Sequence, residues 1–407
     1  MILYINWFWF YCATRTLANT LETALTIIAL SYFPFKNSAK EKPTKDCKFL
    51  WIVGFICAIR PTAAITWIPM CIYHISSNKA HLDHLIKQYL KIGLITLAYS
   101  TAIDSYCYGT FIFTPWYFLK VNVLNGVATF YGAHGFSWYF TIGLPSILGV
   151  YYIYFPFVTI DVIYNEQHVT HKTILIHGTI YLTLIVYSLI KHKEFRFILP
   201  LLPMIIHICS TVRPPRFLNV QGTKKYILIG ILLVTNILPA SYFSLIHQRG
   251  PLDAMDILRN ELKTYDENTL QNHHRRNALD VLFLTPCHAL PLYSHLHRNV
   301  TTRFLTCEPN LHLNTDYVDE ADEFFKDPMH WINMNYELDT KDFQPLKLPA
   351  YVVIFDNTVH KVSKLLKYYR LKAKTLYSYI QPEGNYGKFI HVYKYMAKHT
   401  KVNKYSM

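Results

Sequence analysis

Six stretches of this chain, residues 17–35, 85–103, 138–157, 173–190, 195–212 and 226–246, are apolar over a length close to the roughly 20 residues that cross a bilayer as helix. Inside hydrocarbon every backbone N–H and C=O must find its partner within the protein, so such runs can only fold as helices. Two further apolar stretches are less regular. Residues 2–13 are too few to span, and 49–75 is interrupted by Arg60-Pro61, where proline breaks or kinks a helix. The acidic residues sharpen the division: 8 of the 26 precede residue 250 and 18 follow it. The chain is therefore built for two solvents. Its C-terminal part alternates short apolar runs at 281–284 and 351–355, read as strands, with helical patterns at 253–264 and 363–371. The resulting fold class is an α-helical polytopic membrane protein of about six to eight membrane helices, re-entrant ones included, followed by a small α/β domain. The domains are 1–248 and 249–407.

Net charge of +14 does not imply nucleic acid here, because the basic residues come as short clusters between apolar runs rather than as a stripe with interleaved aromatics. No metal site follows either: the eight cysteines contain no CxxC, and His273 and His274 have no cysteine at zinc-site spacing. Cys287 and Cys307 could pair in an oxidising compartment or remain free thiols. Loop charge orients the spans, since Lys and Arg favour the cytoplasmic side of short loops. Loops 36–48, 76–84, 158–172 and 213–225 carry Lys79, Lys172, Arg213, Arg216, Lys224 and Lys225 and read as cytoplasmic. Loops 104–137 and 191–196, with the whole C-terminal domain, then face the lumen. Asn299-Val300-Thr301, an N-glycosylation sequon, falls on that side.

Three places can carry chemistry. Arg15, Asn19 and Glu22 are spaced by four and three residues and would line one face of a helix, where an ionisable group is either functional or neutralised by a partner such as an Arg15–Glu22 ion pair. The 104–137 loop offers Asp104, Tyr108, Asn122, Asn125, Tyr131 and His134 among aromatics, a composition suited to a polar head group at an interface and equally to an ordinary cap. His192-Lys193-Glu194-Phe195-Arg196-Phe197, followed by Pro200, sets cations and one carboxylate at the mouth of a span. Such a cluster can hold a phosphate, and it can also be helix-end snorkelling of Lys and Arg.

That HKEFRF run resembles the hallmark of the dolichyl-phosphate-mannose-dependent mannosyltransferases of glycosyltransferase family 22, with the multispan GT-C architecture. Arg15-Thr16-Leu17, Asn19-Thr20, Glu22-Thr23, Arg60-Pro61-Thr62-Ala63, Asp104, Tyr108-Gly109, Asn122, Asn125, Tyr131-Gly132, His134 and Trp138-Tyr139-Phe140 occur in the family's order. In the C-terminal part, Thr285-Pro286-Cys287-His288, Tyr293-Ser294-His295, Arg303-Phe304-Leu305 with Cys307, and Asp319-Glu320-Ala321-Asp322 are similar to its GPI-anchor branch. The resemblance implies an endoplasmic reticulum enzyme that moves the third, α1,2-linked mannose from dolichyl-phosphate-mannose to a glycosylphosphatidylinositol precursor, with no cofactor and no metal. It implies a phosphate side made by His192, Lys193 and Arg196, orienting carboxylates Asp104 and Glu194, sugar contacts from Asn122, Asn125, Tyr131 and His134, and support from Arg15 and Glu22. Family members carry a further N-terminal span and an acidic lumenal loop, so the catalytic base is expected upstream of Met1 and the chain reads as N-terminally truncated. At 134–138 the family's second histidine and Pro-Trp pair are replaced by His-Gly-Phe-Ser-Trp. An N-glycan-pathway relative, an inactive truncated form and a transporter are the rival readings.

Overall fold

A computed structural model describes residues 5–36, 42–164, 170–211, 222–269, 280–311, 316–338, 348–380 and 384–396. Arg213, Arg216, His273 and His274 lie outside the described residues. The chain divides into two compact units, Met1–Ser241 and Tyr242–Met407.

The first unit is helical. Its principal helices are α1 (Trp7–Ala13), α2 (Ala18–Tyr32), α3 (Lys48–Ile59), α4 (Ala64–Ser77), α5 (Leu82–Tyr108), α6 (Tyr151–Tyr164), α7 (His171–Leu189), α8 (Leu201–Thr211) and α9 (Thr223–Ser241). One apolar cluster joins α2 to α5 through Ala29, Phe33, Phe49, Val53, Trp67, Met70 and Ile92. Another joins α6, α7 and α8 through Phe155, Val158, Ile180, Leu184, Leu201 and Ile205. The outer faces stay apolar: Ile72, Leu94, Ile153 and Leu189 are each more than 60% exposed. A soluble bundle would bury such residues or replace them, whereas lipid accepts them without cost.

Among the described residues two helices are long and apolar enough to cross a membrane, His171–Leu189 and the one that starts at Thr223, with a third if a bent pair counts as one span. This is fewer than the six runs of the sequence, and breaks account for part of the difference. The 138–157 run is cut at Gly149, where Tyr139–Leu148 and Tyr151–Tyr164 diverge by 116°. The 195–212 run begins as a 3-10 turn, Phe195–Ile198, before Pro200 opens the way to α8. The 49–75 run breaks at Arg60, whose extended backbone (φ −144°, ψ 98°) is what a residue before proline adopts. By contrast α5 continues from 82 to 108 and ends on Gly109 at φ 69°, the left-handed cap that glycine takes without a Cβ penalty. The 104–137 segment is not an open loop: it contains the end of α5, a helix at Thr114–Leu119 and shorter turns at Lys120–Leu124 and Val127–Tyr131.

The second unit holds a five-stranded sheet of order β2-β1-β3-β5-β4: β1 (Val281–Leu284), β2 (Thr302–Phe304), β3 (Tyr351–Phe355), β4 (Tyr369–Leu376) and β5 (Phe389–Tyr395). β1 runs parallel to β2 and β3, while β5 is antiparallel to β3 and β4. VLFL and YVVIF are buried throughout, the signature of strands covered on both faces. Val281, Phe283, Tyr351 and Val353 meet helix α10 (Gly250–Thr269) through Met255, Leu258 and Leu262. Leu282, Leu284, Val352 and Ile354 meet α11 (Glu320–Lys326) and α12 (Pro328–Tyr336) through Phe324, Trp331 and Ile332. A helix was expected over 363–371. Only Ser363–Leu366 is helical, and Tyr369 onwards pairs with β5 as the edge strand, because ladder hydrogen bonds override the helix-favouring Lys/Leu spacing. Cys287 and Cys307 form a disulfide, which resolves the two alternatives left by their spacing.

Candidate functional site

The helical unit contains a cleft of about 510 Å³ lined by Phe8, Tyr11, Cys12, Arg15, Leu17, His134, Trp138, Lys193, Glu194, Phe195 and Arg196. Three chain breaks build it. Between α1 and α2 the backbone leaves helix at Thr14–Leu17, which turns Arg15 out of both helices and lays its guanidinium 3.7 Å above the Tyr11 ring. Before the π-helical turn Tyr139–Gly143, His134 stacks on Trp138 at 4.8 Å, and Trp138 meets Phe195 at 4.8 Å. After α7, residues 191–194 run without helix into the turn Phe195–Ile198.

The charged groups of this last segment are tied to one another. Glu194 accepts from Arg196 Nη2 at 2.8 Å and from His192 Nε2 at 3.1 Å, and His192 Nδ1 faces the Gly132 carbonyl at 3.1 Å. Both ring nitrogens thus face oxygen atoms of the protein. Burial pushes the Glu194 carboxyl up, but the Arg196 guanidinium and His192 outweigh it, and the group sits below the usual carboxylate range. Lys193, only 4% exposed, donates to the carbonyls of His134 (3.0 Å) and Ile190, and the His134 amide returns a bond to the Lys191 carbonyl at 2.9 Å. Desolvation lowers the Lys193 ammonium, which has carbonyl dipoles rather than a carboxylate against it. Arg15, Lys193 and Arg196 against the one Glu194 give the cleft an excess of positive charge beside apolar and aromatic walls. Such a lining suits an anion that carries a hydrocarbon chain.

The family model for Alg9-like mannosyltransferases matches residues 1–297. The chain belongs to the Alg9-like mannosyltransferase family. Within it, the chain is 41% identical over 373 residues to the Drosophila melanogaster protein named GPI mannosyltransferase 3, covering 91% of this chain and 63% of that protein. It is 39% identical to the Danio rerio GPI alpha-1,2-mannosyltransferase 3 (95% of this chain, 67% of that one) and 34% identical to the Homo sapiens protein of that name (97% and 66%). The chain thus spans just under two thirds of the fly relative's length. No solved structure matches it.

In this Alg9-like family member the cleft gathers His134, Lys193, Glu194, Arg196 and Arg15, with His192 behind Glu194. It does not gather the rest. Asp104 accepts from the Thr114 hydroxyl at 2.6 Å, Asn122 donates to the Phe118 carbonyl one turn back, and neither they nor Asn125 or Tyr131 line the cleft. Asn299 is exposed in the second unit, with Thr301 bonded to Asp280. The pairing of Arg15 with Glu22 is corrected. Arg15 precedes α2, so helical spacing does not carry it to Glu22, and Glu22 instead forms a buried ion pair with Arg60. Arg60 stood in the sequence as a helix break and as part of one motif in the family's order, with no partner assigned to it. The signal that finds it is a lone guanidinium in an apolar run, which demands a counter-charge.

Proposed function

We propose that this protein transfers the third, α1,2-linked mannose from dolichyl-phosphate-mannose to a GPI precursor at the endoplasmic reticulum membrane. Two kinds of fact support the reading: the names of the relatives it resembles along most of its length, and the cationic cleft on the HKEFRF segment. The observation that carries it is the convergence of Arg15, Lys193 and Arg196 around one carboxylate already committed to Arg196 and His192. An acceptor hydroxyl attacks mannose C1, the C1–O bond to dolichyl phosphate breaks with inversion, and the hydroxyl proton goes to a base. Arg196, with Lys193 and Arg15, meets the charge that develops on the departing phosphate. His134 and Trp138 supply a ring wall for the sugar, and exposed Phe195 one for the isoprenoid. We assign no base within the cleft, because Glu194 is engaged by Arg196 and His192 and its lowered carboxyl is a poor proton acceptor.

The finer architecture belongs to the same proposal: six to eight membrane helices with α3 and α4 as a re-entrant pair around Arg60-Pro61, and the cleft and second unit in the lumen. Expression in cells that lack third-mannose transfer tests it. The wild-type protein restores GPI-anchored proteins to the surface, and Arg196→Ala lowers restoration by about 10²-fold or more, the scale of losing one preorganised charge contact at a reacting centre. Endoglycosidase H removes the glycan and increases gel mobility, and Asn299→Gln abolishes that shift. Full restoration by Arg196→Ala would refute the phosphate role, and a chain resistant to the glycosidase would count against the lumenal placement.

A further inference from the structure

The Glu22–Arg60 ion pair lies outside the cleft lining, yet Arg60, Asn19 and Tyr187 reach the back of the turn that presents Arg196. Glu22 is 2% and Arg60 14% exposed, so both charges are withdrawn from solvent. Three residues earlier on α2, on the same helical face, Asn19 donates its side-chain N–H to the Arg196 carbonyl at 2.9 Å. The Arg60 guanidinium stands 5.2 Å from the centre of the Phe197 ring, the residue next to Arg196. Tyr187 closes the remaining side: its ring lies 6.2 Å from that of Phe197, and its hydroxyl donates to the carbonyl of Thr62, two residues beyond Arg60. The turn Phe195–Ile198 is therefore gripped from behind through one carbonyl and one ring, while the Arg196 side chain projects forward to the cleft.

A buried ion pair is a poor source of stability, since an apolar pair of the same volume often does as well or better. Its particular merit is fixed geometry. The break at Arg60-Pro61 exists in an otherwise apolar run, and its effect is to bring the guanidinium to Phe197. We propose that Glu22 and Arg60, together with Asn19, are positioning residues for Arg196: they set the orientation of its guanidinium toward the phosphate of an isoprenoid donor. This rests on the donor reading given above.

The test separates the two. In the full protein in detergent, equilibrium binding of dolichyl phosphate is measured for wild type, Glu22→Gln/Arg60→Gln, Arg196→Lys and the combination. The paired glutamines keep volume and hydrogen bonding and leave no lone charge. We expect binding about tenfold weaker from the glutamine pair on the wild-type background and no more than about twofold on the Arg196→Lys background, because residues that act through one another are not additive. Asn19→Ala, which removes a single contact, follows the same pattern at about threefold and serves where the glutamine pair does not fold. Equal losses on both backgrounds, unchanged binding in every variant, or no binding by wild type would each overturn the positioning role. Coupled binding without mannose transfer to a two-mannose GPI acceptor would instead overturn the proposed reaction and leave the positioning role standing.

Discussion

Glu22 in the helical unit and Glu261 in the α/β unit show two ways of keeping a carboxylate. Glu22 is almost fully enclosed and is matched by a single guanidinium, that of Arg60. Glu261 is 23% exposed and accepts from Lys394 at 2.9 Å and Lys372 at 3.2 Å, with water within reach of all three groups. Glu320 repeats the second arrangement, accepting from Arg303 at 3.2 Å and from both the amide and the hydroxyl of Thr306 at 3.0 Å. Where solvent is available, charge is shared among several weak partners and any one can be lost. Where it is excluded, one partner carries the whole compensation. The same contrast appears in the apolar residues: the helical unit exposes Leu94 and Ile153, while both faces of the central strands in the α/β unit are covered.

Removing one partner from each arrangement should therefore give unequal losses. Arg60→Ala leaves Glu22 enclosed without its counter-charge and should cost about 3–5 kcal/mol, whereas Lys394→Ala leaves Glu261 with Lys372 and water and should cost at most about 1 kcal/mol. Thermal melts of the whole protein in detergent, with hydrogen exchange to assign each loss to its unit, check this. Equal losses would mean that solvent reaches Glu22 as freely as Glu261, and the contrast would fail.

The disulfide divides the units in another way. Cys287 and Cys307 are 20 residues apart and bridge within the α/β unit, whereas the cysteines described in the helical unit are free. Closing a loop of that length removes enough unfolded-state freedom for about 3 kcal/mol. Reduction, or Cys287→Ser, should weaken exchange protection in β1 and β3 by that amount and leave α7 and α8 unchanged. A loss spread over both units would show that the bond acts through the whole chain.

The sequence revealed each unit to a different depth. Apolar length located the membrane-facing part, and VLFL and YVVIF could be read as covered strands because burial on both faces leaves no polar alternation. HKEFRF stood out because a lysine, an arginine, a histidine and a carboxylate at the end of an apolar run are chemically conspicuous. The breaks were the hidden element. Spacing from Arg15 to Glu22 assumes continuous helix, and nothing in Thr14–Leu17 announces that the helix stops there. The partner of Glu22 lies 38 positions away, a distance no local periodicity reports. Likewise Asp104 and Asn122 have the right functional groups for a sugar, but α5 and the turns after it direct them to Thr114 and to neighbouring backbone. Residue type nominated the groups, and tertiary contact decided which of them share the cleft.

The smallest effect is the dependence of the α/β unit on pH. Burial tends to raise the Glu261 carboxyl, but hydrogen bonds and charge from Lys394 and Lys372 prevail and lower it; for Glu320, the Thr306 amide and hydroxyl with Arg303 do the same. A carboxyl whose folded-state value is lowered contributes stability that is complete above its ordinary value of 4.5 and declines as pH falls through the lower, folded-state value. Exchange protection of β3 and β5 should then hold steady from pH 7 to 5 and weaken below about 4.5, by well under 1 kcal/mol for each carboxylate because both are partly solvated. Glu261→Gln and Glu320→Gln should each flatten part of that decline while lowering stability slightly at neutral pH. A decline that keeps its full size in both variants would locate the responsible protonation elsewhere and remove the distributed-charge half of the contrast.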